Sequence, residues 1–183
     1  MRITYRRLAL ALLPLLLLGP AAAACGGGGD ESSFRNGIEI ISLTGDGQGD
    51  PAGDGDSVGV RYRGTLDDGS AFDSNAGGAL LPVTIGAGRV IPGFDEALRG
   101  LRIGQTIVVR IPPELAYGER DESLVFEIPR EQTPPGMKVG QRVQFGGVPG
   151  VITEITDEAV ILDANHALAG QALTFEISIE TLE

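Results

Sequence analysis

The chain has 183 residues, room for one medium domain or two small ones, and an apolar content of 42% is enough for a packed core. The formal net charge of −11 sets the chain against nucleic-acid phosphates and anionic membrane surfaces, which excludes both as electrostatic partners. Cys25 is the only cysteine, which excludes an intramolecular disulfide, and the single histidine, His166, speaks against a metal centre built on imidazoles.

In chain order, Arg2, Arg6 and Arg7 make a basic start with no acid before Cys25, so the remainder carries a formal charge of −14. Leu8 to Leu18 is an apolar run too short to span a bilayer and broken by Pro14, and the small residues Ala21 to Ala24 lead directly into Cys25. The layout is similar to a bacterial lipoprotein signal, with Ala22 where that signal usually has Leu. The resemblance implies a signal peptide over 1–24 and lipidation of Cys25. It also implies residence in the bacterial cell envelope, extracytoplasmic and held to a membrane by the lipid. Ordinary cleavage after an Ala-x-Ala site, leaving a free thiol, is the alternative. Gly26 to Gly29 open a flexible tether over 25–36.

Ile38 to Leu43 reads as a short strand, and the Gly- and Asp-rich stretch Gly45 to Asp56 as a solvated loop. Asp50, Asp54 and Asp56 lack the closing bidentate Glu of an EF-hand calcium loop. Alternation then takes over. Val58, Val60 and Tyr62 share one face of a strand, opposite Arg61 and Arg63; Ile107, Val109 and Ile111 repeat the pattern. Leu173, Phe175, Ile177 and Ile179 make the cleanest half-buried strand in the chain. The one good helix candidate is short, Pro92 to Arg99, with proline near its start and Gly100 behind it. These elements predict an α+β fold, an antiparallel β-sheet wrapped on one short helix.

A second set of strands interrupts the first. Pro134-Pro135-Gly136 marks its entry, and Gln141 to Phe145, Val151 to Thr156 and Ala159 to Leu162 are short strands, the last two joined tightly through Asp157-Glu158. Gly86-Ala87-Gly88 is not a dinucleotide signature, because Val90-Ile91-Pro92 follows and no helix opens at the glycines.

Three segments carry the chemistry. They are Val58 to Ser74 (VGVRYRGTLDDGSAFDS), Gly86 to Leu98 (GAGRVIPGFDEAL) and Ala116-Tyr117-Gly118. In order and spacing they resemble the three signatures of FKBP-type peptidyl-prolyl isomerases, and the likeness runs over nearly everything from Ile38 onward. About fifty residues separate Ala116-Tyr117-Gly118 from the final strand. Asp121 to Leu124 and Asp163 to Gln171 resemble the SlyD-like group, in which the flap is replaced by an inserted domain that holds unfolded chains. The resemblance implies a discontinuous catalytic domain, 37–118 with 168–183, around a small mostly-β insert over 119–167 in the flap region. Up to Glu183 there is no His- and Cys-rich tail of the kind some SlyD-like proteins carry.

Rotation about the bond before proline faces a barrier of roughly 18–20 kcal/mol from amide conjugation, and takes tens to hundreds of seconds unaided. The twisted transition state loses that conjugation, so a dry apolar pocket favours it over the planar amide without a nucleophile, cofactor or metal. Carried over by motif position, the catalytic residues are Tyr62, Phe72, Asp73, Tyr117 and Phe175. Leu81, Val90, Ile91 and Phe94 bind substrate, the Ile91 N–H and the Tyr117 hydroxyl donating to its carbonyls. Phe94 and Leu81 stand where the family often has Trp and an aromatic residue. Asp73 either does this work or simply caps the turn after Phe72. Of the eight aromatic residues beyond the signal, five fall at these positions. His166 reads as a hydrogen-bonded turn residue rather than a ligand.

The implied function is isomerisation and chaperoning of exported, unfolded proline-containing polypeptides by a monomeric, lipid-anchored protein. The alternative is a non-catalytic chaperone or surface-binding lipoprotein on the same fold.

Overall fold

A computed structural model describes residues 33–183. The predicted signal, Cys25 and most of the tether lie outside the described residues. In chain order the strands are β1 (Ser33–Arg35), β2 (Ile38–Thr44), β3 (Ser57–Thr65), β4 (Ala71–Ser74) and β5 (Leu81–Thr84), followed by the helix α1 (Pro92–Leu98). After it come β6 (Thr106–Ile111), β7 (Val125–Pro129), β8 (Arg142–Phe145), β9 (Val148–Ile155), β10 (Ala159–Asp163) and β11 (Leu173–Leu182).

The alternating segments form one antiparallel sheet in the order β1-β2-β6-β11-β3-β4, with β5 also paired to β3. β11 is central because every second residue is apolar. Leu173, Phe175, Ile177 and Ile179 all bury on the helix side, beside Ile107, Val109 and Ile111 of β6 and Val58 and Val60 of β3. Each fully buried Leu, Ile or Val side chain contributes about 1.5–3 kcal/mol. Helix α1 closes this core with Phe94, Ala97 and Leu98. It begins at Pro92, which needs no N–H there, and it lies so close to β6 that a Cβ on Gly93 would sit 2.3 Å from Ile111.

β11 is reached only after a second antiparallel sheet, in the order β7-β10-β9-β8, whose strands pair among themselves. Ile128, Ile152, Ala159, Val160 and Leu162 are its buried residues. The chain leaves and re-enters the first sheet through a closed neck. Gly170 N–H donates to Gly118 O at 2.8 Å, Ala164 N–H to Leu124 O at 2.9 Å, and Asn165 clasps both backbone groups of Asp121.

Four differences from the sequence expectations have physical causes. Ser33–Arg35, given to the tether, pairs with β2 as β1, and Arg35 reaches the open C-terminus of α1. Its guanidinium donates to the carbonyls of Glu96, Ala97 and Arg99 at 2.7, 3.2 and 2.9 Å. β9 starts at Val148 rather than Val151, because the turn is Gly146-Gly147, both at positive φ, and not the Pro149-Gly150 pair that carries turn chemistry. β4, β5 and β7 show no alternation because they are four or five residues long and take their place from neighbours. The loop before β3 is not wholly solvated: Ala52 is buried and exchanges backbone hydrogen bonds with Leu101 and Gly100, while Asp54 pairs with Arg99 and Asp56 closes its own turn.

Candidate active site

β3, β4, β5, α1, the 86–91 loop, the Ala116-Tyr117-Gly118 turn and β11 converge on a cavity of about 370 Å³. Its walls are Tyr62, Asp73, Leu81, Gly88, Arg89, Val90, Ile91, Phe94, Tyr117 and Phe175. That is the size of a small-ligand site. Its base is an edge-to-face aromatic cluster. Phe94 meets Phe175 at 5.2 Å and 84°, and Tyr62 meets Phe94 at 5.7 Å and 88°. Such pairs are rigid and add about 0.5–1.5 kcal/mol beyond their burial. Phe94 and Phe175 are 4% and 5% exposed, so each shows the cavity only a small part of its ring.

Of the nine pocket residues expected from sequence, eight line this cavity. Phe72 does not. It stands behind, edge-on to Phe175 at 5.5 Å and 87°, and it fits there because β3 has glycine at 64, where a Cβ would lie 2.5 Å from the Phe72 ring. Phe72 therefore supports the wall rather than forming it.

The polar groups are few and placed. Tyr62 donates its hydroxyl to Asp73 at 2.8 Å, and the other Asp73 oxygen accepts from the Ser74 N–H at 2.8 Å. Asp73 is thus both a pocket residue and a turn residue. Burial first, then the Asp73 hydrogen bond and charge, push the Tyr62 hydroxyl up to about 12, so Tyr62 is a neutral donor. The Ile91 N–H on the cavity wall donates to no protein group among the described residues. Among the described residues no three His, Cys, Asp or Glu side chains are placed to hold a metal ion.

Three positioning residues escaped the sequence reading. Asn75 joins the end of β4 to β3, accepting from Tyr62 N–H at 2.8 Å and donating to Val60 O at 2.8 Å. Asp95, buried on α1, takes the Gly86 N–H with both oxygens at 2.9 and 3.1 Å and pairs with Arg99 at 2.7 Å, which ties the 86–91 loop to the helix carrying Phe94. His166, expected as a turn residue, does accept the Leu168 N–H at 3.1 Å, and its ring also stacks on Tyr117 with centroids 3.9 Å apart. Only Asn75, in a Ser-Asn turn, had a visible signal in the sequence.

Known proteins resemble this arrangement in sequence. The family model described as FKBP-type peptidyl-prolyl cis-trans isomerase matches residues 49–133. A short-type peptidyl-prolyl cis-trans isomerase of Methanocaldococcus jannaschii is 40% identical over 102 residues, 54% of this chain and 65% of that protein. FKBP-type peptidyl-prolyl cis-trans isomerase SlyD of Treponema pallidum is 35% identical over 131 residues, 68% of this chain and 74% of that protein. The SlyD of Escherichia coli is 33% identical over 128 residues, 67% and 65% of the two chains. The alignments to the archaeal and Escherichia coli proteins thus span just under two thirds of those proteins' lengths.

Proposed function

The chain belongs to the FKBP-type peptidyl-prolyl cis-trans isomerase family, and on that premise we propose that its aromatic cavity turns the peptide bond before proline in unfolded polypeptides. The observation that carries this reading is the convergence of Tyr62, Phe94 and Phe175 under a rim bearing an unengaged Ile91 N–H and the Tyr117 hydroxyl. The proline ring seats on the aromatic base. Apolar walls withdraw water from the planar amide, whose dipole is larger than that of the twisted form, so the barrier falls. The Ile91 N–H and the Tyr117 hydroxyl hold the flanking carbonyls, leaving rotation about one bond as the remaining freedom. Asp73 is occupied by Tyr62 and Ser74 and serves to orient Tyr62, not as a nucleophile.

The second sheet supports a companion role in holding unfolded chains. A groove of about 230 Å³ on it is walled mainly by Phe126, Ile128, Pro129, Phe145, Val148 and Leu162, with Glu127 and Gln132 among them and Phe126 and Val148 37% and 36% exposed. Export and anchoring through Cys25 rest on the basic, apolar and small-residue run that precedes it. The non-catalytic alternative gains nothing from eight of the nine expected pocket side chains lining one cavity. The deciding experiment is a proline-limited refolding reaction with catalytic amounts of the chain. A rate that climbs in proportion to added chain is the expected result, and an unchanged rate overturns the reading.

A further inference from the structure

We propose that His166 is a positioning residue of the isomerase site, its imidazole forming the platform that holds the Tyr117 ring and hydroxyl at the cavity rim. The inference rests on the reading of the cavity given above. Tyr117 is 41% exposed and follows the short 3-10 turn Pro113–Leu115, and its hydroxyl has no hydrogen-bond partner among the described residues. A tyrosine so placed is free to turn about its side-chain bonds into solvent, which removes a donor from the pocket. Against that freedom stands the imidazole, which lies flat on the phenol ring, centroids 3.9 Å apart and planes 8° from parallel.

The platform is itself immobilised. His166 Nδ1 accepts the Leu168 N–H at 3.1 Å, which fixes the ring's orientation, and His166 O accepts the Ala169 N–H at 2.9 Å. The residue before it, Asn165, is locked to Asp121 through both its side-chain atoms at 2.9 Å and to Asp163 at 2.8 Å. Asp163 in turn pairs with Arg120, and Gly170 closes onto Gly118 beside Tyr117. The two rings therefore sit at the two ends of the excursion into the second sheet, and the neck that closes it also aims the tyrosine.

Two variants separate the stack from the turn. His166→Asn keeps an acceptor for the Leu168 N–H and loses the platform; His166→Phe loses the acceptor and keeps the platform. Turnover of a short proline peptide should fall about three- to tenfold in the Asn variant and stay within about twofold of wild type in the Phe variant. In proton NMR spectra the Tyr117 ring resonances should move in the Asn variant as the imidazole ring current is lost, while those of Tyr62 stay in place. An Asn variant as active as wild type, or unmoved Tyr117 resonances, would overturn the proposal; so would a folded Phe variant as impaired as Asn. If the Phe variant fails to fold, the Asn variant and its spectrum still decide. A wild-type chain that does not isomerise the peptide strikes the isomerase reading itself, which is a separate outcome.

Discussion

Tyr62 shows how much one side chain does here. Its ring is part of the cavity base and its hydroxyl is bonded to Asp73. Tyr62→Ala removes both, and turnover of a proline peptide should drop tenfold or more, about 1.4 kcal/mol per tenfold. Phe72→Ala should lose nearly as much without touching substrate, because Phe175 then keeps Phe94 on one side but loses the ring that backs it on the other; wild-type rates in both variants would mean the cavity is not the site. Tyr62 also makes an alkaline prediction. Its folded-state pKa, about 12, lies above the ordinary phenol value of 10.0, so the folded chain holds this proton more tightly than the unfolded one. That contribution to stability is whole below about pH 10 and is lost as the pH rises through about 12. Denaturant midpoints measured at about pH 9 and about pH 11 should fall in the wild type and fall less in Tyr62→Phe.

Among the elements, α1 is the one whose placement decides the site, since it carries Phe94 and has no side-chain cap at its start. Its C-terminal carbonyls are satisfied by Arg35, which comes from β1, and its face toward the 86–91 loop is tied by Asp95. Arg35→Ala leaves those carbonyls without a charged donor, while Glu96 keeps Arg99. A hydrogen bond to a charged group contributes about 1.5–3 kcal/mol, so this variant should lose an amount of that order in denaturant unfolding and should retain activity when folded. Stability equal to wild type would show that water serves the helix end as well as Arg35 does.

The molecule as a whole is two sheets joined by a neck, and the neck says where they can be parted. Glu119 to Ala167, the insert implied by sequence, includes His166, whose ring is stacked on Tyr117. Val125 to Leu162 is the better excision, because it keeps Asp163 for Asn165 and Arg120, and Leu124 O and Ala164 N are already 2.9 Å apart, so a turn of about four residues joins the ends. The shortened chain should turn over a short peptide within a few-fold of wild type. On the proposed chain-holding role of the second sheet, it should catalyse refolding of a whole protein at least tenfold more slowly, since a weak chain-binding groove on the same molecule would raise the local concentration of prolyl bonds. Equal losses in both assays would mean the second sheet supports the cavity. In cells, Cys25→Ser should move the protein from membranes to the soluble fraction, because two acyl chains hold a protein stably and none holds it at all. Unchanged membrane recovery would refute the anchor.

What the sequence determined by itself is what periodicity carries. The faces of β3, β6 and β11 follow from alternation that each strand contains within itself, and the short helix from its proline and glycine. The pocket aromatics came instead from the resemblance of three motifs to a known family, carried over position by position. Even Phe72, on the right strand, lines the wall's back rather than its front, and only packing against Phe175 and Gly64 decides that. Arg35 with the end of α1, Asp95 with Gly86 and His166 with Tyr117 left no pattern to read. Each is a contact between segments whose meeting depends on the finished sheet, and a polar side chain in a loop has no period to betray its partner. The same holds for β9, where Pro149-Gly150 has the residues of a turn, yet Gly146-Gly147 takes the turn because it brings Phe145 opposite Val148. Local preference chose among the residues able to turn, and strand pairing chose which of them did.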